Sequence, residues 1–238
     1  GGMDDEAPPS FFPQGAPERA QVPVPEVPSL SKTVSFDFRH QYDMILSPWY
    51  NTASTCWAHA LAKIMRAWVN YLKIKYNLLI YEGLEHAHYI KILIDAGVQC
   101  GVVAQNNMCR LLDGENGISK ILTNIPNCCD MEFPQISNIE WKFEFITNLE
   151  AIDMLQKEII LYMVGDDTAC EPIQNHAVVA IGINYDGTIK FLNSEWKDGI
   201  IRYNDNGIFF GLLYPINIGG YIFNKDDILR EFNYHYFC

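Results

Sequence analysis

Apolar side chains recur every third or fourth position in the segment that begins at Cys56. The apolar members are Trp57, Ala60, Leu61, Ile64, Met65, Trp68 and Leu72. This spacing is typical of a long helix with one buried face. The polar residues between them are expected on its opposite side: Lys63, Arg66, Asn70 and Lys73. Side-chain oxygens that can cap a helix start precede the pattern, at Asn51, Thr52, Ser54 and Thr55.

Further helical patterns occur at 83–95, 117–123 and 148–161. The last third instead contains short segments rich in β-branched and aromatic residues, which are typical of strands. Two of them, 177–185 and 188–192, are joined by Asp186-Gly187, a dipeptide that accepts the positive φ angles of a two-residue hairpin turn. Three more strands are predicted at 200–203, 208–214 and 220–223.

The order of these patterns predicts three regions. Residues 1–28 are proline-rich, and because proline interrupts both helices and sheets we expect them to form a flexible arm. This arm is either a short pro-segment that lies in a cleft or a disordered extension. Gly1 and Gly2 are typical of an expression scar. A mainly helical domain is predicted over 29–150 and a β-rich domain over 151–238.

Composition and charge narrow the classes of function. The 17 Lys and Arg residues against 29 Asp and Glu give a net charge of -12, which argues against a nucleic-acid surface. No stretch approaches the roughly eighteen consecutive apolar residues of a membrane helix, and the start lacks the features of an export signal. With Met3 as the natural start, we expect a cytoplasmic protein that binds neither nucleic acid nor membranes. The oligomeric state stays open.

One cysteine is a candidate nucleophile. The seven cysteines are odd in number and scattered, so they do not form a disulfide framework and at least one is expected to be a free thiol. Cys56 is placed at a helix start, where the partial positive charge favours a thiolate and free amides can donate to an oxyanion. Taken alone, such a cysteine is more often inert packing.

Three segments together favour catalysis. They read NTASTCWAHA at 51–60, QNHAVVAIGINY at 174–185 and KFLNSEW at 190–196. These segments resemble the papain-like (cathepsin-like) cysteine peptidases. In that family Trp-Ala follows the nucleophile on a helix, the base lies in a (D/N)-H-A-V strand, and an N-S-W segment opens with the third catalytic residue. The similarity covers 34–70 and 172–223.

The resemblance implies an α+β fold, with a helical N-terminal domain packed on an antiparallel, barrel-like β domain and the active-site cleft between them. It implies that Cys56 forms a thioester acyl-enzyme with a peptide or protein substrate, that His176 transfers the proton, and that Asn193 orients the ring. Trp196 would shield the contact between His176 and Asn193, although here Glu195 lengthens that segment by one residue. No cofactor is expected.

Two binding features depart from the family pattern. The family places a glutamine six residues before the nucleophile as oxyanion donor, and this chain has Tyr50 there. Asn51 is the nearest amide donor, and loss of such a donor lowers the rate about a hundredfold to a thousandfold. The nearest equivalents of the family's peptide-binding glycine pair are Gly114 and Gly117, for which an ordinary turn is the alternative.

The predicted hairpin gives a check that is independent of the resemblance. A two-residue turn places Asn193 opposite Ala180 and therefore four residues from His176. In a flat ladder that offset separates the two positions by about 13 Å. The sequence therefore predicts a bend or bulge near 176–178.

The remaining polar candidates have simpler interpretations. His59 lies one turn beyond the nucleophile and is interpreted as structural, because a base must face the nucleophile across a cleft. His86 and His88 would diverge on a helix, and the adjacent Cys128 and Cys129 lack a partner pair, so no metal site is expected. Two alternatives to a peptidase stay open: an inactive relative that binds peptides, and an unrelated scaffold in which the cysteine and histidine are core residues.

Overall fold

The chain begins its described part with three helices. The computed structural model describes residues 55–76, 86–103, 114–129, 138–165, 176–192, 198–202 and 208–231. The helices are α1 Cys56–Tyr76, α2 His86–Gln99 and α3 Gly114–Cys129. They confirm the first three helical predictions, with ends that differ by a few residues. No helix in these ranges is both long enough and apolar enough to span a membrane.

A sheet and two short helices follow. The strands are β1 Ile139–Ile146, β2 Leu161–Gly165, β3 His176–Ile183, β4 Thr188–Leu192, β5 Asp198–Arg202, β6 Ile208–Ile218 and β7 Tyr221–Ile222. The helices are α4 Asn148–Gln156 and α5 Lys225–Glu231. Every strand pairing is antiparallel, in the order β1-β6-β2-β3-β4-β5, and β7 pairs with the end of β6. The fold is therefore α+β, as predicted.

The sheet is open, so the expected barrel-like form is wrong. Closing a barrel requires the first and last strands to pair. Within the described ranges β1 pairs with β6 and β5 pairs with β4, which leaves two separate edges. The alternating strand β1, with Trp141, Phe143 and Phe145 buried, lies before residue 150 and still belongs to this sheet.

The helix α4 is shorter than its pattern predicted. It starts after Thr147, whose hydroxyl oxygen accepts a hydrogen bond of 3.1 Å from the amide of Glu150. It ends at Gln156 rather than near 161, because Glu158 adopts a positive φ of 64° that turns the chain out of the helix. The residues that follow enter the sheet as β2.

The helix α1 is the most enclosed helix of the described part of the chain. It packs against α2 and against β2, β3 and β6, and the indole nitrogen of Trp68 donates to the carbonyl of Leu213 at 2.6 Å. Because neighbours cover it on several sides, Lys63 and Arg66 are only 1% and 2% exposed. The apolar spacing correctly identified one face of the helix, but it did not show that the other face is covered as well.

Candidate functional site

Cys56 is the first residue of α1, and its side chain is 3% exposed. Burial raises the pKa of its thiol, because a thiolate loses hydration there. The backbone amides of Ala177, Trp57 and Cys56 itself act in the other direction, since each can donate to a negative sulfur. Burial outweighs these amides. The helix start thus provides the expected donors, while the described surroundings do not by themselves make a thiolate.

The Cys56 sulfur lies at the start of β3. The amide that reaches it from another element belongs to Ala177, the second residue of β3, and His176 is the first. The structure describes the backbone of His176, which pairs with Gly165 of β2. The imidazole of His176 lies outside what is described. Cys56 and His176 are 120 positions apart in the sequence. They are the first residues of α1 and β3, and these two starts lie next to each other.

The turn of the β3–β4 hairpin is one residue longer than predicted. The amide of Asn184 donates to the carbonyl of Thr188 at 2.8 Å, and the amide of Gly187 donates to the carbonyl of Asn184 at 2.9 Å. Gly187 has φ 82°, a conformation that glycine adopts without strain. The carboxylate of Asp186 stabilises the turn by accepting hydrogen bonds from the amide and the hydroxyl of Thr188. The ladder is consequently shifted by one position.

A bulge shifts the same ladder by a further position. The irregularity lies between Ala180 and Gly182 rather than near 176–178, and beyond it Leu192 is opposite Val179. The predicted register would have placed Leu192 opposite Ile181. The end of β4 is therefore two residues, or roughly 6.6 Å, closer to His176 than a flat two-residue hairpin would bring it. The need for a bulge was predicted correctly and its position was wrong.

The other predicted site residues divide into two groups. Asn193, Trp196 and Asn51 lie outside the described residues. Gly114 and Gly117 lie in the first turn of α3, so the ordinary turn given as their alternative is instead the start of a helix. A role of their backbone in binding a peptide stays a prediction.

A group of basic side chains beside Cys56 was not foreseen. His59, Lys63 and Arg66 are buried along α1, and His86 of α2 reaches the first of them, with 3.3 Å between His59 Nδ1 and His86 Nε2. Their positions on one helical face could have been read from the sequence. Their burial could not, because it depends on the elements that cover α1.

The electrostatics of this group follow from its burial and its single sign of charge. The pKa of His86 lies well below its ordinary value of 6.5. Burial is the largest cause, and the positive charges of Arg66, Lys63 and His59 lower it further. Burial and Arg66 lower the pKa of Lys63 to about 7, while a negative charge on Cys56 acts to raise it. A desolvated cation among other cations loses its proton more easily.

The described ranges offer little to a metal ion. They contain no group of three or more His, Cys, Asp or Glu side chains that could hold one. Cys56 and Cys100 are free thiols there. The chemistry that the described part of the site can offer is thus that of a thiol among backbone amides and buried bases.

Comparisons of the chain with models of known protein families, with curated proteins and with solved structures found no match.

Proposed function

We propose that this chain is a papain-like cysteine peptidase that hydrolyses peptide bonds through Cys56, His176 and Asn193. The observation that supports this proposal most is the contact between the start of α1 and the start of β3. There the Cys56 sulfur faces the amide of Ala177, the residue after His176. The three sequence motifs supply the residue types that this chemistry needs at that junction. The bulged hairpin adds support, because it moves the end of β4 toward His176.

The proposed reaction is acyl transfer to sulfur followed by hydrolysis. The imidazole of His176 takes the thiol proton, and the sulfur of Cys56 attacks the carbonyl carbon of the peptide bond. The free amides at the start of α1, together with the side chain of Asn51, would donate to the oxyanion. The imidazolium then protonates the leaving amine. Water attacks the thioester, the acid product leaves, and the thiol regains its proton.

One observation favours a second candidate, an inactive relative that binds peptides. Cys56 is almost fully buried and the pKa of its thiol is raised, whereas a nucleophile must be ionised and reachable. Tyr50 in place of the usual glutamine points the same way. Such a protein would bind extended peptides without cleaving them.

Turnover of a mixed peptide library by the purified full chain separates the two candidates. We expect cleavage by the unmodified protein and a loss to background with Cys56→Ala, because no other described group replaces the sulfur. Cys100→Ala is the matched control, since Cys100 is also a free thiol but is partly exposed and lies at the end of α2. It should keep full activity.

The opposite outcomes decide against the peptidase. Cleavage that survives Cys56→Ala, in protein shown by circular dichroism to be folded, would remove Cys56 from the reaction. Absence of cleavage by the unmodified chain, combined with saturable binding of library peptides, would establish the second candidate instead.

A further inference from the structure

Four side chains that can titrate or carry a charge lie along one face of α1. They are Cys56, His59, Lys63 and Arg66, and we call them the α1 stripe. Their spacings of three, four and three residues match successive turns of a helix, so the four Cβ atoms project in similar directions. All four are at most 3% exposed. The nucleophile of the proposed peptidase is therefore the first member of a buried polar stripe.

The position of Lys63 in this stripe is costly for the fold. Burial and the neighbouring Arg66 both act against its charge, and an apolar side chain of the same length would avoid that cost. An energetically unfavourable residue in the centre of a molecule is often retained for function rather than for stability.

Helix geometry places Lys63 on the same face of α1 as Cys56. Seven residues amount to about two turns, which leaves an angular offset of roughly 20° and an axial distance of about 10.5 Å. Side chains on a helix lean toward its N-terminus, and the long stem of lysine can cover more than half of that distance. A negative charge on Cys56 acts to raise the pKa of Lys63, which is the direction expected for two groups on one buried helix face.

We propose that Lys63 is a positioning residue that stabilises the Cys56 thiolate. This inference rests on the proposed function. Burial favours the neutral thiol and the neutral amine, whereas their mutual attraction favours thiolate and ammonium. Transfer of one proton converts the first pair into the second without changing the net charge. Burial is the largest influence on the pKa of the thiol and raises it, so the proposed attraction to Lys63 would offset only part of the cost of the thiolate.

The pH dependence of Cys56 alkylation tests this coupling. Full-length protein is treated with iodoacetamide from pH 5 to pH 10, and modification of Cys56 is followed by peptide mass spectrometry. We expect Lys63→Met to slow alkylation at pH 7 by roughly tenfold and to move the midpoint to higher pH, because an opposite charge is lost. Lys63→Arg should restore most of the rate.

Lys73→Met is the matched control. Lys73 is on the same helix, ten residues farther from Cys56 than Lys63 is, and its loss should leave the alkylation profile unchanged. A merely structural role of Lys63 would not shift the midpoint or be rescued by arginine. Circular dichroism and urea midpoints establish that each variant is folded.

Two results would overturn the proposal. One is an unchanged alkylation profile in Lys63→Met. The other is a slowing in Lys63→Arg as large as in Lys63→Met. Both are read without substrate, so they are independent of peptide turnover. Cysteine-dependent cleavage together with an unchanged Lys63→Met profile rejects this coupling alone, while a shifted midpoint in a protein that cleaves nothing rejects the peptidase alone.

Discussion

Two lysines in this molecule have opposite surroundings. Lys63 of α1 is 1% exposed and is close to Arg66, whose charge acts against its own. Lys225 begins α5, where its ammonium contacts the carboxylate of Glu144 on β1 and lies 5.5 Å from the ring centre of Tyr214. The side chains of Lys225 and Glu144 are 33% and 25% exposed.

The difference shows how burial and pairing set the value of a charge. At the edge of the sheet, Lys225 keeps part of its hydration and gains an opposite charge, so its charge contributes a little to stability. In the centre, Lys63 loses its hydration next to another cation, so its charge costs stability. The same type of side chain is thus stabilising in one region and costly in the other, and the costly one lies on the same helix face as Cys56.

The largest expected effect is a loss of stability in acid that originates in the central region. The pKa of His86 is depressed well below 6.5 in the fold, so the unfolded chain takes up its proton first. Above pH 6.5, His86 is neutral in both the folded and the unfolded chain and costs no stability. Below pH 6.5 the unfolded chain binds the proton and the folded chain does not, so the free energy of unfolding falls. The slope should approach about 1.4 kcal/mol per pH unit, measured by urea unfolding between pH 4.5 and pH 8.

His86→Asn tests the origin of that slope. It removes the titrating ring that faces His59, Lys63 and Arg66, so the slope below pH 6.5 should become shallower even if the variant is less stable at pH 8. His88→Asn is the matched control, because His88 is on the same helix but half-buried, and it should keep the slope of the unmodified protein. Equal slopes in the His86→Asn variant and the unmodified chain would contradict the assignment.

The next effect is a gain of stability in Lys63→Met. The pKa of Lys63 falls from 10.5 to about 7 on folding, so the unfolded chain binds the proton more tightly and the fold loses stability as the pH drops from about 10.5 toward 7. Because the fold disfavours the charge of Lys63, a neutral side chain of similar length should raise the free energy of unfolding by about 1 to 3 kcal/mol at pH 7. The gain should shrink at pH 10. Urea unfolding at both pH values measures it, and a net loss at pH 7 would contradict the comparison.

The sequence predicted the parts of the fold that depend on neighbours along the chain. The start of α1 at Cys56 and the hairpin around Gly187 follow from local spacing and turn chemistry. The alternation of β1 is also present in the sequence, although β1 lies in the region predicted to be mainly helical. These features need little knowledge of the rest of the molecule.

The remaining features depend on contacts between distant segments. The register of β4 is set by one extra turn residue and by the bulge after Ala180. The burial of Lys63 depends on the elements that pack against α1. The raised pKa of Cys56 likewise reflects the elements around it rather than its helix position. Helical periodicity shows which residues share a face, and tertiary packing decides whether water reaches that face.

The smallest effect is expected at the edge, in Lys225→Met, and it should have the opposite sign to that of Lys63→Met. Losing a partly exposed contact with Glu144 should lower the free energy of unfolding by about 0.2 to 1 kcal/mol, and 1 M salt should reduce the difference because it screens exposed charges. Lys157→Met is the matched control, since Lys157 pairs with Asp153 at 3.0 Å with both side chains more than half exposed, at 64% and 61%. Its effect should be smaller still. If Lys225→Met raised stability as Lys63→Met should, then the loss of a lysine charge, and not its surroundings, would account for both results.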